Sequence, residues 1–166
     1  FPVEQYWRDN RLNMIHEGTH GIQAADLLGR KVRMEGGRAL MLLAGRINGT
    51  VERALQRADL AAHANALARA LQSLGAATKS AWATEDPTEA LANAVPYLQA
   101  FGHTVLAWTW LDVLLAQAED AADPPAIGRA RAAQYFFHYE LPRIGAWLQV
   151  VARRDRTCAD MPLEAF

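Results

Sequence analysis

Apolar residues recur every three or four positions through most of this chain, and this spacing constrains the fold more than any other feature of the sequence. The spacing is that of helices with one face buried in a core. It occurs in four runs with short connections, and no run alternates between apolar and polar residues as a half-buried strand does. Because short connections make neighbouring helices antiparallel, the sequence predicts an all-α fold containing an up-down antiparallel four-helix bundle.

Each predicted helix of the bundle has its own apolar face. The first face consists of Leu40, Leu43, Ile47, Val51 and Ala54. The second consists of Leu60, Ala64, Leu67, Leu71, Leu74, Thr78 and Ala81. The third consists of Leu91, Val95, Leu98, Phe101, Val105, Trp108, Leu111 and Leu115. The fourth consists of Ile127, Ala130, Gln134 or Tyr135, His138, Leu141, Ile144, Leu148 and Val151. Since the pattern continues past Pro96 and Pro142, both prolines are predicted to kink their helices without ending them.

The first 33 residues have a different pattern from the bundle. A helical run reaches Glu17, breaks at Gly18 and resumes at Thr19. Glycine adopts backbone angles that other residues resist, and threonine is a good N-cap for the helix that follows. We therefore expect two short helices with a bend at Glu17 to Thr19. The clearest later break is Gly36-Gly37, so the predicted units are 1–33, the bundle at 34–152 and an irregular tail at 153–166.

The residues around the bend also form a longer motif. Its fixed positions are Arg8, Asp9, Arg11, Ile15, Glu17, Gly18, Thr19, Ile22 and Gln23. This register resembles the C-terminal signature of flavin-dependent acyl-CoA dehydrogenases. The next segment, 24–31, resembles the branch of that family with an extra helical domain after the catalytic core. Residues 34–151 resemble that extra domain more loosely, mainly at 95–98 and 133–136.

The resemblance implies an enzymatic role for the whole protein. The family oxidises the Cα–Cβ bond of an acyl-CoA thioester with flavin adenine dinucleotide (FAD). By resemblance, Glu17 is the catalytic base that takes the α proton, and Thr19 and Gly21 contact the flavin. The family builds most of its flavin site from upstream segments, and Phe1 is not an initiator methionine. We therefore expect a C-terminal fragment that is inactive alone and does not retain FAD.

The resemblance also implies partners. These are an acyl-CoA substrate, an electron-transfer flavoprotein and further copies of the chain in a homo-oligomer. Without the rest of the catalytic core, we expect four apolar side chains of the first two helices to be exposed or covered by a second copy. These are Tyr6, Trp7, Ile15 and Ile22.

Two other interpretations compete with the dehydrogenase. The first is a non-catalytic helical module for interaction or oligomerisation. The second is a zinc hydrolase, because His16-Glu17-Gly18-Thr19-His20 fits the H-E-x-x-H pattern of metalloproteases. Glycine and threonine inside that pattern weaken the helix that it needs, so we rank the hydrolase last.

Three further histidines, His63, His103 and His138, fall on three different predicted helices. They could meet at a metal ion, but no carboxylate lies beside them at a useful spacing. We therefore expect core or surface histidines and no bound metal.

Charge and composition exclude several classes of protein. The 17 basic and 18 acidic residues give a net charge of −1, and the basic residues are scattered, which gives no electrostatic case for nucleic acid binding. Cys158 is the only cysteine, which excludes an intramolecular disulfide and fits a reducing compartment. No apolar stretch reaches transmembrane length and no signal peptide is visible, so we expect a cytoplasmic protein without membrane insertion.

Overall fold

The chain is mostly helical in the residues that the computed structural model describes, 3–15 and 19–165. The α-helices are α1 (Val3–Ile15), α2 (Thr19–Asp26), α3 (Met34–Leu55), α4 (Ala61–Ala81), α5 (Pro87–Leu91), α6 (Ala94–Leu115), α7 (Pro124–Tyr135) and α8 (Ile144–Arg153). The π turns Leu27–Lys31 and Phe136–Glu140 extend α2 and α7, and 3₁₀ turns lie at Leu141–Arg143 and Leu163–Ala165. The all-α class is confirmed, since neither described range contains a strand. No helix in these ranges combines the length and apolarity that a membrane crossing requires.

Helix α6 is the centre of the packing. It contacts α2, α3, α4, α7 and α8, while α4 also packs against α3 and α8. The buried residues of these helices form one continuous core that includes Leu67, Leu111 and Val151. These are contacts expected among the four long helical runs of a bundle, and the up-down antiparallel order of those runs stays a prediction.

The first two apolar faces are confirmed, although Leu40, Leu43, Leu71 and Thr78 are only partly buried. Ile47, Val51 and Ala54 of α3 are buried. The buried residues of the second face are Leu60, Ala64, Leu67, Leu74 and Ala81. The predicted break at Gly36-Gly37 is also confirmed, because these glycines have φ values of 66° and 87° and interrupt the helical geometry near the start of α3. Large apolar residues separated by polar ones made these two helices easy to predict.

The predicted face of α6 is wrong by one position along most of the helix, although Leu111 is buried as predicted. The residues that are buried are Ala94, Tyr97, Ala100, Thr104, Ala107, Leu111 and Leu114. Val95 is exposed, and Leu98, Phe101 and Trp108 are only partly buried. Small residues lie on the buried face because α6 is surrounded by other helices, and alanine lets their backbones approach closely. The larger side chains then fill the flanks, where a sequence pattern mistakes them for the core.

The fourth apolar face is wrong in its first half and correct in its second. Ala126, Ala133 and Phe137 are buried, whereas the predicted Ile127 and Ala130 are exposed. From Leu141 onward, the predicted residues are buried. The π turn Phe136–Glu140 explains the change, because a π turn takes up one residue more than an α turn and shifts the register by one.

Pro96 does not kink a continuous helix as predicted. The chain leaves helical geometry after α5, and α6 begins at Ala94, so Pro96 lies in the first turn. In that position the missing N–H costs little, because the first amides of a helix have no partner within it. Pro142 is different, because the helical path continues past it through the π and 3₁₀ turns into α8.

Two groups of partly buried polar contacts join the long helices. The indole Nε1 of Trp108 on α6 donates a hydrogen bond to Oγ1 of Thr50 on α3 over 2.8 Å. The Thr50 hydroxyl in turn donates to Asp112 over 3.1 Å. On the other side of α6, the hydroxyls of Tyr97 and Thr78 of α4 are 2.7 Å apart. Buried polar groups that are paired in this way fix the register of the helices.

Candidate functional site

The predicted bend lies at the start of α2. Thr19, its first residue, has a φ of 48°, in the left-handed region that β-branched residues rarely adopt. This backbone angle is consistent with a change of direction there. His16, Glu17 and Gly18 lie outside the described residues, so the position of the predicted base and the rest of the bend stay predictions.

Both predicted flavin-contact residues lie on the open end of α2. Thr19 and Gly21 are exposed, and a Cβ built on Gly21 would have no neighbour within 4 Å. Nothing within the described chain therefore requires glycine at position 21. The space beside it is open to a group from outside this chain.

Four apolar side chains of α1 and α2 are also exposed. The exposed fractions are 69% for Tyr6, 59% for Trp7, 76% for Ile15 and 64% for Ile22. The predicted exposure of these four residues is confirmed. Exposed apolar side chains in such number are consistent with a surface that another polypeptide covers.

The opposite end of α2 is anchored in the helical core. Ala24 and Leu28 have no exposed surface and pack in the core with α6. The carbonyl of Leu28, in the first π turn, accepts a hydrogen bond from the indole Nε1 of Trp82 over 3.0 Å. The guanidinium of Arg33 lies 3.8 Å over the same indole ring. Helix α2 therefore has one fixed end and one exposed end.

An ion pair also stabilises the junction of α2 and its π turn. Arg30 Nε donates to Asp26 Oδ1 over 2.6 Å, and Lys31 Nζ lies 3.7 Å from Asp26 Oδ2. The hydrogen bond from Arg30 lowers the pKa of the Asp26 carboxyl. Because these groups are largely exposed, the pair orients side chains more than it stabilises the fold.

The structure brings together two of the three histidines that the sequence placed on separate helices. The rings of His63 on α4 and His138 in the second π turn have centroids 6.2 Å apart. His103 lies elsewhere, with Nε2 at 3.6 Å from Glu140 and its ring edge against Trp147. Within residues 3–15 and 19–165, no three histidine, cysteine or acidic side chains are grouped closely enough to hold a metal ion.

The histidine pair borders a cavity of about 520 Å³ between the α3–α4 turn, the end of α6 and α7. Its charged lining consists of Arg57, Asp59, Glu119 and Arg131. Arg57 connects two sides of the cavity. Its guanidinium donates hydrogen bonds to Asp59 and to the carbonyls of Leu114 and Gln117 at the end of α6. Sequence patterns missed this cavity because its residues come from three separate segments. The one local signal was a histidine, His138, at a position predicted to be buried.

The described residues therefore define a helical domain preceded by an arm with exposed apolar side chains. Comparison with known proteins assigns the domain. Residues 43–162 match the family described as acetyl-CoA dehydrogenase C-terminal like. The chain belongs to this family, and the predicted relation to the C-terminal part of acyl-CoA dehydrogenases is confirmed.

Two curated relatives are similar to this chain. The 3-methylmercaptopropionyl-CoA dehydrogenase of Ruegeria pomeroyi is 40% identical over 121 residues, which are 70% of this chain and 21% of that protein. The broad-specificity linear acyl-CoA dehydrogenase FadE5 of Mycobacterium tuberculosis is 29% identical over 182 aligned positions, which cover 100% of this chain and 30% of that protein. The chain thus spans less than a third of either relative.

Proposed function

We propose that the protein containing this chain is an FAD-dependent acyl-CoA dehydrogenase, in which the chain supplies the catalytic base from its N-terminal arm. The observation that carries the proposal is the family match over 43–162, in a chain whose upstream residues contain a motif with Glu17-Gly18-Thr19 in the expected register. The alignment with FadE5 covers the whole chain and so includes this motif. The two relatives' names specify acyl-CoA dehydrogenases, which supports an acyl-CoA thioester as the substrate class.

The described residues fit a flavin beside the arm. Gly21 leaves open space where a side chain would stand, and Thr19 presents an exposed hydroxyl on a strained backbone. Strained residues of this kind cluster at functional sites. Thr19 and the backbone at Gly21 are the groups of this chain that would contact the cofactor. When bound, the flavin accepts the hydride that leaves Cβ of the substrate.

In this proposal Glu17 is the general base. Its carboxylate takes the α proton of the thioester, while its backbone N–H donates to the thioester oxygen, where negative charge develops. A carboxylate must be poorly hydrated and close to the substrate to act in this way, because desolvation raises its pKa towards the working pH. The exposed apolar side chains of α1 and α2 would supply such surroundings when the rest of the enzyme covers them.

The same exposed face supports the proposed partners. Contact with the remainder of the enzyme or with a second subunit would remove it from water, as expected for a homo-oligomer. Electrons would then pass to an electron-transfer flavoprotein in the cytoplasm. A non-catalytic interaction module would share the exposed face, so only a test of the base separates the two functions.

The test is Glu17→Gln in the full-length enzyme, with stopped-flow measurement of flavin bleaching by a saturated acyl-CoA. Glutamine keeps the size and hydrogen bonding but cannot accept the α proton. We expect acyl-CoA binding to persist and the bleaching rate to fall by at least ~10²–10⁴, the usual contribution of a positioned general base. Glu4→Gln is the matched control, because Glu4 lies on the same arm in an exposed ion pair with Arg8. Bleaching of Glu17→Gln at nearly the normal rate would place the base elsewhere.

A further inference from the structure

The π turn that follows α2 is held by the segment 82–91, which contains the α4–α5 turn and α5. Trp82, directly after α4, donates its indole N–H to the carbonyl of Leu28 over 3.0 Å, although the two residues are 54 positions apart in the chain. Leu91, the last residue of α5, has methyl carbons 3.5 Å from the position that a Cβ on Gly29 would take. Both contacts fall on adjacent residues of the π turn, so one segment fixes the place where α2 joins the domain.

The indole of Trp82 is itself held by two contacts. Its Nε1–H is the one hydrogen-bond donor of a tryptophan side chain, and it bonds from the edge of the ring. The guanidinium of Arg33 lies over the face of the ring, 3.8 Å from its centre, where a cation is attracted to the aromatic system. Leu28 and Arg33 belong to the same short stretch of chain. The Trp82 ring therefore joins this stretch to α4 at two points.

Arg154, directly after α8, connects the same segment to the rest of the core. Its guanidinium donates to the carbonyl of Ser80 and to the carboxylate of Glu89, each over 2.8 Å. Its backbone has a φ of 51°, in the left-handed region where glycine is the usual residue at the end of a helix. The two hydrogen bonds of the side chain offset this unfavourable backbone angle. The segment that carries Trp82 is thus fixed in its turn.

Helix α2 transmits this constraint to the motif at its exposed end. The helix continues directly into the π turn, so Thr19 lies on an extension of the residues that Trp82 holds. Thr19 precedes Leu28 by nine positions. At about 1.5 Å per residue this is roughly 14 Å, so a tilt of about 4° at Leu28 moves Thr19 by about 1 Å.

We propose that Trp82 is a positioning residue for the catalytic motif, acting through the Leu28 carbonyl and α2. The inference rests on the proposed dehydrogenase function, in which this motif carries the base and the flavin contacts. A displacement of about 1 Å at a reacting group can lower the rate about 10²-fold. Loss of the indole N–H should therefore slow the reaction, although it lies far from the chemistry along the chain.

The experiment is Trp82→Phe in the full-length enzyme with bound flavin. Phenylalanine keeps an aromatic ring beneath Arg33 and removes the N–H. Flavin bleaching is followed by stopped flow at increasing concentrations of butanoyl-, octanoyl- or palmitoyl-CoA, whichever bleaches the wild-type flavin fastest. We expect the limiting rate constant to fall roughly tenfold to hundredfold, with little change in the half-saturating concentration. Partial unfolding would instead lower the amplitude of bleaching and leave its rate constant unchanged.

Hydrogen exchange of the same variant tests the position of α2 without relying on the reaction. Amides in residues 19–31 should exchange roughly twofold to tenfold faster than in wild type, the effect of one hydrogen bond on a local opening. Amides in residues 144–153 should be unaffected. Trp147→Phe is the matched control, because Trp147 is also a half-buried tryptophan beneath an arginine, Arg143, but lies on α8. It should change neither the rate constant nor the exchange of 19–31.

A normal rate constant in Trp82→Phe, or unchanged exchange of residues 19–31, would overturn the proposal. Equal slowing by Trp147→Phe would overturn it as well, since the effect would then be general to the domain. Failure of all three thioesters to bleach the wild-type flavin would count against the proposed function. In that case the exchange measurement alone decides whether Trp82 holds α2.

Discussion

Removal of the Tyr97 hydroxyl should change the stability of this domain in opposite directions at neutral and alkaline pH. Tyr97 is the largest fully buried side chain in the described residues. Thr78 has one hydroxyl hydrogen and donates it to the carbonyl of Leu74 over 2.8 Å. The Tyr97 hydroxyl therefore donates to Thr78 over 2.7 Å. Only the neutral phenol can make this bond.

At neutral pH, Tyr97→Phe should lower the free energy of unfolding by about 1 kcal/mol, the usual net value of one buried hydrogen bond. The ring remains in place, so no large cavity forms. The effect should be much smaller than the roughly 3–5 kcal/mol expected when a buried aromatic side chain is replaced by alanine.

At alkaline pH the sign should reverse. Burial raises the pKa of Tyr97 from 10.0 to about 12. The unfolded chain then releases this proton at lower pH than the folded chain, so the wild-type protein loses stability as pH rises above about 10. The loss from this group is about 1.4 kcal/mol at pH 11. Phenylalanine does not titrate, so the variant should become the more stable protein between pH 10 and pH 11.

The assay is urea unfolding at several pH values from 7 to 11, followed by tryptophan fluorescence. The difference between wild type and Tyr97→Phe cancels the titration of all other groups. Tyr135→Phe is the control, because Tyr135 is exposed and stacks on Tyr139 at the surface. A difference between wild type and Tyr97→Phe that stays constant over this pH range would refute the reasoning.

Two further substitutions test other contacts of the fold by the same unfolding measurement. Thr50→Val leaves the indole N–H of Trp108 without its acceptor and should lower the free energy of unfolding by about 1–3 kcal/mol. Thr109→Val affects only an exposed hydrogen bond within α6 and should lower it by less. Equal losses for the two variants would contradict the role of the contact between Thr50 and Trp108. Arg57→Met should lower stability by about 1–3 kcal/mol, because the carbonyls of Leu114 and Gln117 at the end of α6 lose the guanidinium donor. Arg69→Met, at an exposed position, should have little effect. An unchanged midpoint for Arg57→Met would show that water replaces the guanidinium there.

The sequence predicted the helices better than it predicted their buried faces. In α4 the residues Leu67 and Leu74 are both large and buried, so the apolar pattern and the core coincide. In α6 the core positions Ala100 and Ala107 are small, and the pattern follows the larger neighbours instead. Packing on several sides, which a single sequence does not reveal, decides which face of such a helix is most buried.

The π turns limited prediction in a second way. Helical periodicity assumes 3.6 residues per turn, and the extra residue at Phe136–Glu140 breaks that assumption within one helical run. As a result, the apolar pattern predicts Ile127 in the core, whereas the structure buries Ala126. The same turn brings His138 to His63, so the histidine pair could not be found without the register shift.

For the proposed active site, the most informative feature is the unequal burial of α2. Its motif residues Thr19 and Gly21 are exposed, whereas Ala24 and Leu28 beyond them are completely buried against the core. A short helix held at one end keeps its direction, and the left-handed Thr19 then sets the path of the chain into the motif. The helical domain thus supports the arm mechanically, through α6 and through the bond from Trp82 to the Leu28 carbonyl. A catalytic base needs a rigid support of this kind, because a displacement of about 1 Å can cost 10²-fold in rate.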